Sequence, residues 1–301
     1  MAYEIGTATN YSDLADKLNT FLTTNAALVA AGQAWTNLRA DSDEHIWVAP
    51  GLSGTEEIYV GVRRYADVPT DVYNWEVAGF TGFVTENDWT AQPGKNTSGK
   101  YLPLWNSSIP YWFVANGQRA LVLAKIGTTY QFAYLGKYLA YATPGQYPYP
   151  LLVAAMNSTS AQRYSAAGNS HIVRANGNCG QLYTPSGAWS GIDNGISADA
   201  WSRTWPTGFL TNYSSALAKV APFTSGDVTL LPVILVSSTY AAGIMNVYGE
   251  LDGVFWCPGV GAASESVITI DAVDYLVFQS GGNTTTTDFA AMRLADRKSV
   301  V

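Results

Sequence analysis

Charge is what this chain has least of. Only 13% of its 301 residues are Asp, Glu, Lys or Arg, about half the share usual in a globular protein. Asn, Ser, Thr, Gly and Gln supply the polar surface instead, a composition suited to a protein whose surface is largely covered by partners. The 16 Lys and Arg residues are scattered and outnumbered by 23 Asp and Glu, giving a formal net charge of −7. Arg63-Arg64 and Arg297-Lys298 are the only adjacent basic pairs. With no basic stripe to neutralise phosphates, nucleic acid is excluded as a direct partner.

Cysteine and histidine are nearly absent. Cys179 and Cys257 allow at most one bridge, and each lies among apolar or small residues, where a buried free thiol is ordinary. Neither His45 nor His171 has a His, Cys or acidic partner at the spacing a zinc site needs. Asp41, Asp43 and His45 alternate, but this loop lacks the glycine and terminal glutamate of a calcium loop, so it reads as a solvated turn. No metal and no cofactor are expected. The chain carries no G-x-S-x-G elbow, P-loop or G-x-G-x-x-G. Glu250 and Asp252 would stand about 7 Å apart on one strand face, a pairing that a glycosidase could use and that reads more simply as a solvated face. No catalytic residue is assigned.

Long apolar runs are missing too. No stretch of eighteen apolar residues occurs, and MAYEIGTATNYSD has neither a basic start nor an apolar core. The expectation is a protein made in the cytoplasm with no membrane span. At this length about three-quarters of the unfolded surface can be buried, so folding needs no staples.

What is abundant is hydrophobic and aromatic: 48% apolar residues, with 10 Trp and 19 Tyr. The richest stretch is Tyr101 to Val153. There Tyr111–Val114 and Ala120–Leu123 are apolar runs of strand length, and Asn116-Gly117 between them predicts a type I′ hairpin turn. Leu121 and Leu123 point one way and Ala120, Val122, Ala124 and Ile126 the other, so this strand is expected inside a packed sheet. Downstream, Tyr138 and Tyr141 lead into Pro144-Gly145-Gln146-Tyr147-Pro148-Tyr149-Pro150, where prolines stiffen an aromatic loop. An outward tyrosine on a stiff loop loses little entropy when covered. Tyr138, Tyr141, Tyr147 and Tyr149 are therefore the candidate subunit-interface residues.

Elsewhere, Ser12 is read as the N-cap of an amphipathic helix carrying Leu14, Leu18, Phe21 and Leu22 on one stripe and ending near Asn25. Alternation over Ile58–Val62, Tyr73–Val77 and Val247–Phe255 predicts half-buried strands, and Gly79, Gly82, Pro93-Gly94 and Gly99 read as turns. Pro232 marks an edge or a bulge in Val228–Val236. Val267–Ile270 and Tyr275–Phe278 make a final hairpin around Asp271–Asp274. The fold class follows: mainly β, an antiparallel sandwich-like core with an N-terminal amphipathic helix and a loop-rich middle segment. The divisions are a helical segment over 1–31, a β core over 32–155, a loop-rich lobe over 156–226 and a C-terminal β segment over 227–301.

Five segments carry a resemblance to a known family. They are EIGTATNYSDLADKLNTFL from Glu4, EEIYVGVRRYADVPTDVYNWEVAGFTGF from Glu56, LPLWNSSIPYWFVANGQRALVLAKIGTTYQFAYLGKYLAYATPGQYPYPLLV from Leu102, NVYGELDGVFW from Asn246 and ITIDAVDYLVFQS from Ile268. In these the chain resembles tail-region virion proteins of tailed bacteriophages and prophages, especially those with contractile tails. The resemblance implies a non-enzymatic structural protein of the viral tail, placed at the baseplate, made in the bacterial host cytoplasm and assembling as an oligomer with itself and other tail proteins. The rival reading is a receptor- or glycan-binding, lectin-like tail module whose Trp-bearing middle is the variable surface. A glycan hydrolase would rest only on unplaced carboxylates.

Overall fold

A computed structural model describes residues 1–41, 43–142, 149–156, 160–165, 171–173, 179–192, 202–205, 228–237, 247–258, 262–279 and 289–294. The chain opens with a strand, β1 (Ala2–Ala8), which the helical reading of residues 1–31 did not anticipate. Helix α1 (Tyr11–Thr24) follows, and its N-cap is Asn10 rather than Ser12, since the Asn10 carboxamide accepts from the backbone N–H of Ser12 and Asp13. The expected stripe of Leu14, Leu18, Phe21 and Leu22 is buried. Asn25 ends α1 and its side chain caps a second short helix, α2 (Ala26–Ala30).

Strands β2 (Thr36–Ala40), β3 (Glu44–Ala49), β4 (Ile58–Asp67), β5 (Val72–Phe80) and β6 (Lys100–Leu104) form a five-stranded antiparallel sheet in sequence order. The remaining strands form one sheet of 14. These are β7 (Ile109–Ala115), β8 (Arg119–Ile126), β9 (Thr129–Lys137), β10 (Leu139–Ala140), β11 (Leu151–Ala154), β12 (Gly180–Tyr183), β13 (Trp189–Ile192), β14 (Ser202–Trp205), β15 (Leu231–Ser237), β16 (Val247–Cys257), β17 (Val267–Ile270), β18 (Val273–Gln279) and β19 (Phe289–Arg293), joined by β1. Its order is β1-β7-β8-β9-β11-β12-β13-β14-β15-β16-β19-β18-β17, with β10 alongside β16. Every pairing is antiparallel except β13 with β14. The described part of residues 156–226 contributes the short strands β12, β13 and β14 to the large sheet.

One core joins α1, the small sheet and the large sheet. Leu18 and Phe21 of α1, Trp47, Val60 and Trp75 of the small sheet, and Phe113, Leu121 and Phe132 of the large one belong to the same buried cluster. Both apolar faces of β8 are buried, as their pattern required. The expectation of a half-buried strand fails at β5, where Asn74 and Glu76 are buried as well. Each has partners: Asn74 exchanges hydrogen bonds with the backbone of Gln162, and Glu76 binds Arg63 and Lys95. Gly79 is no turn but a β5 residue, where a Cβ would lie 2.7 Å from the Trp189 ring.

The β7–β8 hairpin is present, with a different turn. Ala115 pairs with Ala120 and the Asn116 N–H donates to the Arg119 carbonyl at 3.0 Å, so Gly117 and Gln118 occupy the centre. The Asn116 side chain closes the turn by accepting from the N–H of Gln118 and Arg119. Gly117 has no positive φ. It is needed because its backbone touches Gly51: the Gly51 N–H donates to the Gly117 carbonyl at 2.6 Å, and a Cβ would lie 1.9 Å from the Gly51 oxygen. The type I′ pattern of two positive φ values occurs at Asp271 (50°) and Ala272 (60°), between β17 and β18. At Pro232 the ladder between β15 and β16 shifts register, a bulge of the kind the proline marks.

Candidate functional site

The four candidate tyrosines separate. Tyr138 is 1% exposed and belongs to the core, so it offers nothing to a partner. Tyr147 lies outside the described residues. Tyr141 is 56% exposed and Tyr149 36%, and both flank the proline-rich loop.

The strand pairing explains the position of Tyr141. Leu139 and Ala140 pair with Glu250 and Gly249, and the Tyr141 N–H donates to the Tyr248 carbonyl at 3.0 Å. Leu139, Tyr141, Tyr248 and Glu250 therefore share one face of the ladder. The Tyr141 hydroxyl donates to Glu250 at 3.1 Å, which holds the ring over the strand. Partial burial and then the Glu250 charge raise the Tyr141 pKa above its usual value, so the phenol stays neutral. With Leu139 exposed beside it, this face is apolar and neutral apart from the occupied Glu250.

Tyr149 sits at the head of a row of rings. It meets Tyr183 edge to face at 6.4 Å, and Tyr183 meets Trp189 edge to face at 5.3 Å. The Trp189 indole N–H donates to the Gly94 carbonyl at 2.7 Å, anchoring the row on the small sheet's Pro93-Gly94 turn. Beside Tyr149 is a hollow of about 330 Å³ lined by Thr55, Glu56, Glu57, Ile58, Lys137 and Leu151. Lys137 pairs with Glu56, and the Tyr59 hydroxyl donates to Glu57 at 3.0 Å. Burial, reinforced by Glu57, pushes the Tyr59 phenol up to about 12. Lys137 and Glu56 are thus paired and Glu57 is engaged by a phenol around this hollow.

The acidic candidates are scattered among different structural duties. The Asp252 side chain is 14% exposed and forms an ion pair with Arg119 at 3.0 Å, while the side-chain amides of Asn116 and Gln118 donate to the same oxygen. Burial works against its charge, but Arg119 and those two amides outweigh burial and hold the carboxyl below its usual range. Asp252 is therefore ionised and occupied, and its neighbour on the strand face, Glu250, serves Tyr141. His45 turns inward, 4% exposed, and packs against Trp47 at 5.5 Å. Its Nε2 lies 2.7 Å from an Arg64 nitrogen and 3.2 Å from Asp16, and that arginine also reaches Ser12. The cluster docks α1 on the small sheet. Asp41 and Asp43 instead line an open cleft of about 620 Å³ with Arg39, Glu44, Arg63 and Trp89. Among the described residues, no three His, Cys, Asp or Glu side chains are grouped so as to hold a metal ion. Both cysteines are buried, and burial raises the Cys257 thiol to about 12.

Sequence reasoning missed the Arg119–Asp252 and Arg64–His45 contacts because they join residues far apart in the chain. It also missed β1, whose signal was legible: Tyr3, Ile5 and Thr7 alternate with Ala2, Glu4, Gly6 and Ala8 at a strand's period of two. Among the described residues no helix is long and apolar enough to cross a membrane. Compared with known proteins, the chain matches no family model and no curated protein.

Proposed function

We propose that this chain is a non-enzymatic structural subunit of a bacteriophage tail, a baseplate component that assembles symmetrically with itself and with other tail proteins after synthesis in the host cytoplasm. The resemblance of its five segments to contractile-tail virion proteins supplies the viral context. The observation that carries the structural role is the neutral face of Leu139 and Tyr141, with Tyr149 beyond the proline-rich loop, exposed at 38%, 56% and 36%. Rigid aromatic side chains on a strand scaffold present large contact area at little entropy cost, as interface anchors do. Replacing Tyr141 and Tyr149 together by Ser tests this. The double variant is expected to fold normally and to enter particles at least about tenfold less efficiently. Unchanged incorporation would overturn the assignment of this surface.

A second reading has one specific observation in its favour. The Tyr149–Tyr183–Trp189 row beside the 330 Å³ hollow suits a receptor- or glycan-binding module, since flat rings stack on sugars. Binding of the purified chain to host surface glycans, lost on Tyr149→Ser, would favour it over the structural role.

A further inference from the structure

Among the described residues the large sheet ends in an open edge at β1. Among these residues the strand pairs only with β7, and none of its outward N–H or C=O groups has a partner there. In an antiparallel pair alternate residues turn their N–H and C=O outward, so a seven-residue strand presents a template for another strand. Natural proteins blunt such edges with lysine, proline or a bulge. β1 has none of these: it reads Ala-Tyr-Glu-Ile-Gly-Thr-Ala and runs in unbroken register from Ala2↔Ala115 to Ala8↔Ile109. It also exposes apolar side chains, Tyr3 at 49% and Ile5 at 57%.

We infer that β1 pairs antiparallel with β1 of a second copy about a two-fold axis through Ile5, making one continuous sheet across a symmetric dimer. The sequence of the strand selects that occupant. Centred on Ile5, the pairing sets Ala2 opposite Ala8, Tyr3 opposite Thr7, Glu4 opposite Gly6 and Ile5 opposite itself. The exposed face then consists of Tyr–Thr and Ile–Ile cross-strand pairs, combinations of aromatic and β-branched residues that stabilise sheets. The strand's only charge, Glu4, faces a glycine instead of another carboxylate. On that second face Glu4 already accepts from the Tyr111 hydroxyl at 2.7 Å, and the Tyr111 ring fills the space above Gly6. A two-fold contact uses the same patch twice and closes on itself. The strand at the other end of the sheet, β17, is four residues long and offers a shorter edge. The inference rests on the self-assembly part of the reading above and on no viral context.

The test is the solution mass of the isolated full-length chain by light scattering, with two site variants. A dimer is expected, weakened at least about tenfold by Ile5→Lys, which sets like charges opposite one another across the axis. Ile5 is exposed, so this variant keeps the fold, checked by an unchanged circular dichroism spectrum. In a second variant, Ile5→Cys, two thiols meet at Cβ atoms about 5 Å apart, and mild oxidation should give a covalent dimer. The protein's own cysteines are both buried, so they provide a silent background. Glu4→Cys, on the other face and opposite Gly6, should not cross-link. A monomer at tens of micromolar would overturn the inference, as would an assembly indifferent to Ile5→Lys. Slow hydrogen exchange at Tyr3–Thr7 in a monomer would assign the edge to the chain itself, whereas incorporation into particles with a monomeric free chain would leave the tail reading standing alone.

Discussion

Arg119 Nε and Asp252 Oδ2 lie 3.0 Å apart, with 1% and 14% of their side chains exposed. Arg119 follows the turn of the β7–β8 hairpin and Asp252 sits on β16, so one charge pair ties the aromatic N-terminal core to the C-terminal strands. Gly253 makes room for it. Its φ of 73° belongs to the left-handed region, and a Cβ there would lie 2.3 Å from the guanidinium.

Removing one partner should be far worse than removing both. Asp252→Ala leaves the Arg119 charge buried and is expected to cost about 3–5 kcal/mol in unfolding free energy. Arg119→Met combined with Asp252→Leu should recover most of that loss in urea melts. The pH dependence has a definite sign. The folded carboxyl titrates below its unfolded value, so its contribution is complete above about pH 4 and is lost as the pH falls through the folded pKa. If Asp252→Ala shifts stability by less than about 1 kcal/mol, the pair is not a tie between the two parts.

His45 predicts a second, separate pH effect. Burial and then the Arg64 charge hold its pKa below the usual histidine value, against the pull of Asp16 and Asp41. The unfolded chain takes up a proton near pH 6.5 while folded His45 does not, so stability falls as the pH drops through that range. Substituting Gln for His45 should flatten the thermal midpoint between pH 7 and 5. An equally steep dependence in the variant would move the effect elsewhere.

Gly117→Ala should destabilise nearly as much as Gly117→Val. The obstacle is the first carbon of any side chain, 1.9 Å from the Gly51 oxygen, and not β-branching. Overpacking of this kind costs about 1–3 kcal/mol or more. A thermal midpoint unchanged in the alanine variant would mean that the Gly51–Gly117 approach is not part of the native fold.

Ala272→Gly should have the opposite sign. At φ 60° in the β17–β18 turn, alanine carries roughly 1 kcal/mol of left-handed strain that glycine lacks, offset in part by glycine's greater freedom when unfolded. A small rise in the thermal midpoint is expected. A fall would argue against the type I′ turn.

These positions mark what could be read from the chain and what could not. The strands β7, β8, β16, β17 and β18 and the stripe of α1 were legible, because alternation and helical spacing are local properties. The turn at Asn116-Gly117 was misread since the same pair suits an I′ turn or an Asx-closed one. Only the distant Gly51 decides which, and no window of sequence contains both. β5 looked half-buried because Asn74 and Glu76 alternate with apolar residues, while their partners Gln162, Arg63 and Lys95 come from elsewhere. Of the candidate surface, Tyr141 and Tyr149 are exposed as the sequence led one to expect, Tyr141 because its pairing with β16 sets its ring on the outer face. Tyr138 is not, because the neighbouring Tyr138 N–H donates to the Pro150 carbonyl at 3.0 Å and its ring turns into the core.

The central claim is that this chain is a structural part of a tail. Quantitative mass spectrometry of tailed particles purified from a culture that expresses the chain from its own genome tests this most directly. The polypeptide is expected in intact particles, retained in the tail fraction, at a copy number fixed relative to the tail's other subunits and matching its rotational symmetry. Purified, infective particles that lack the polypeptide would contradict it.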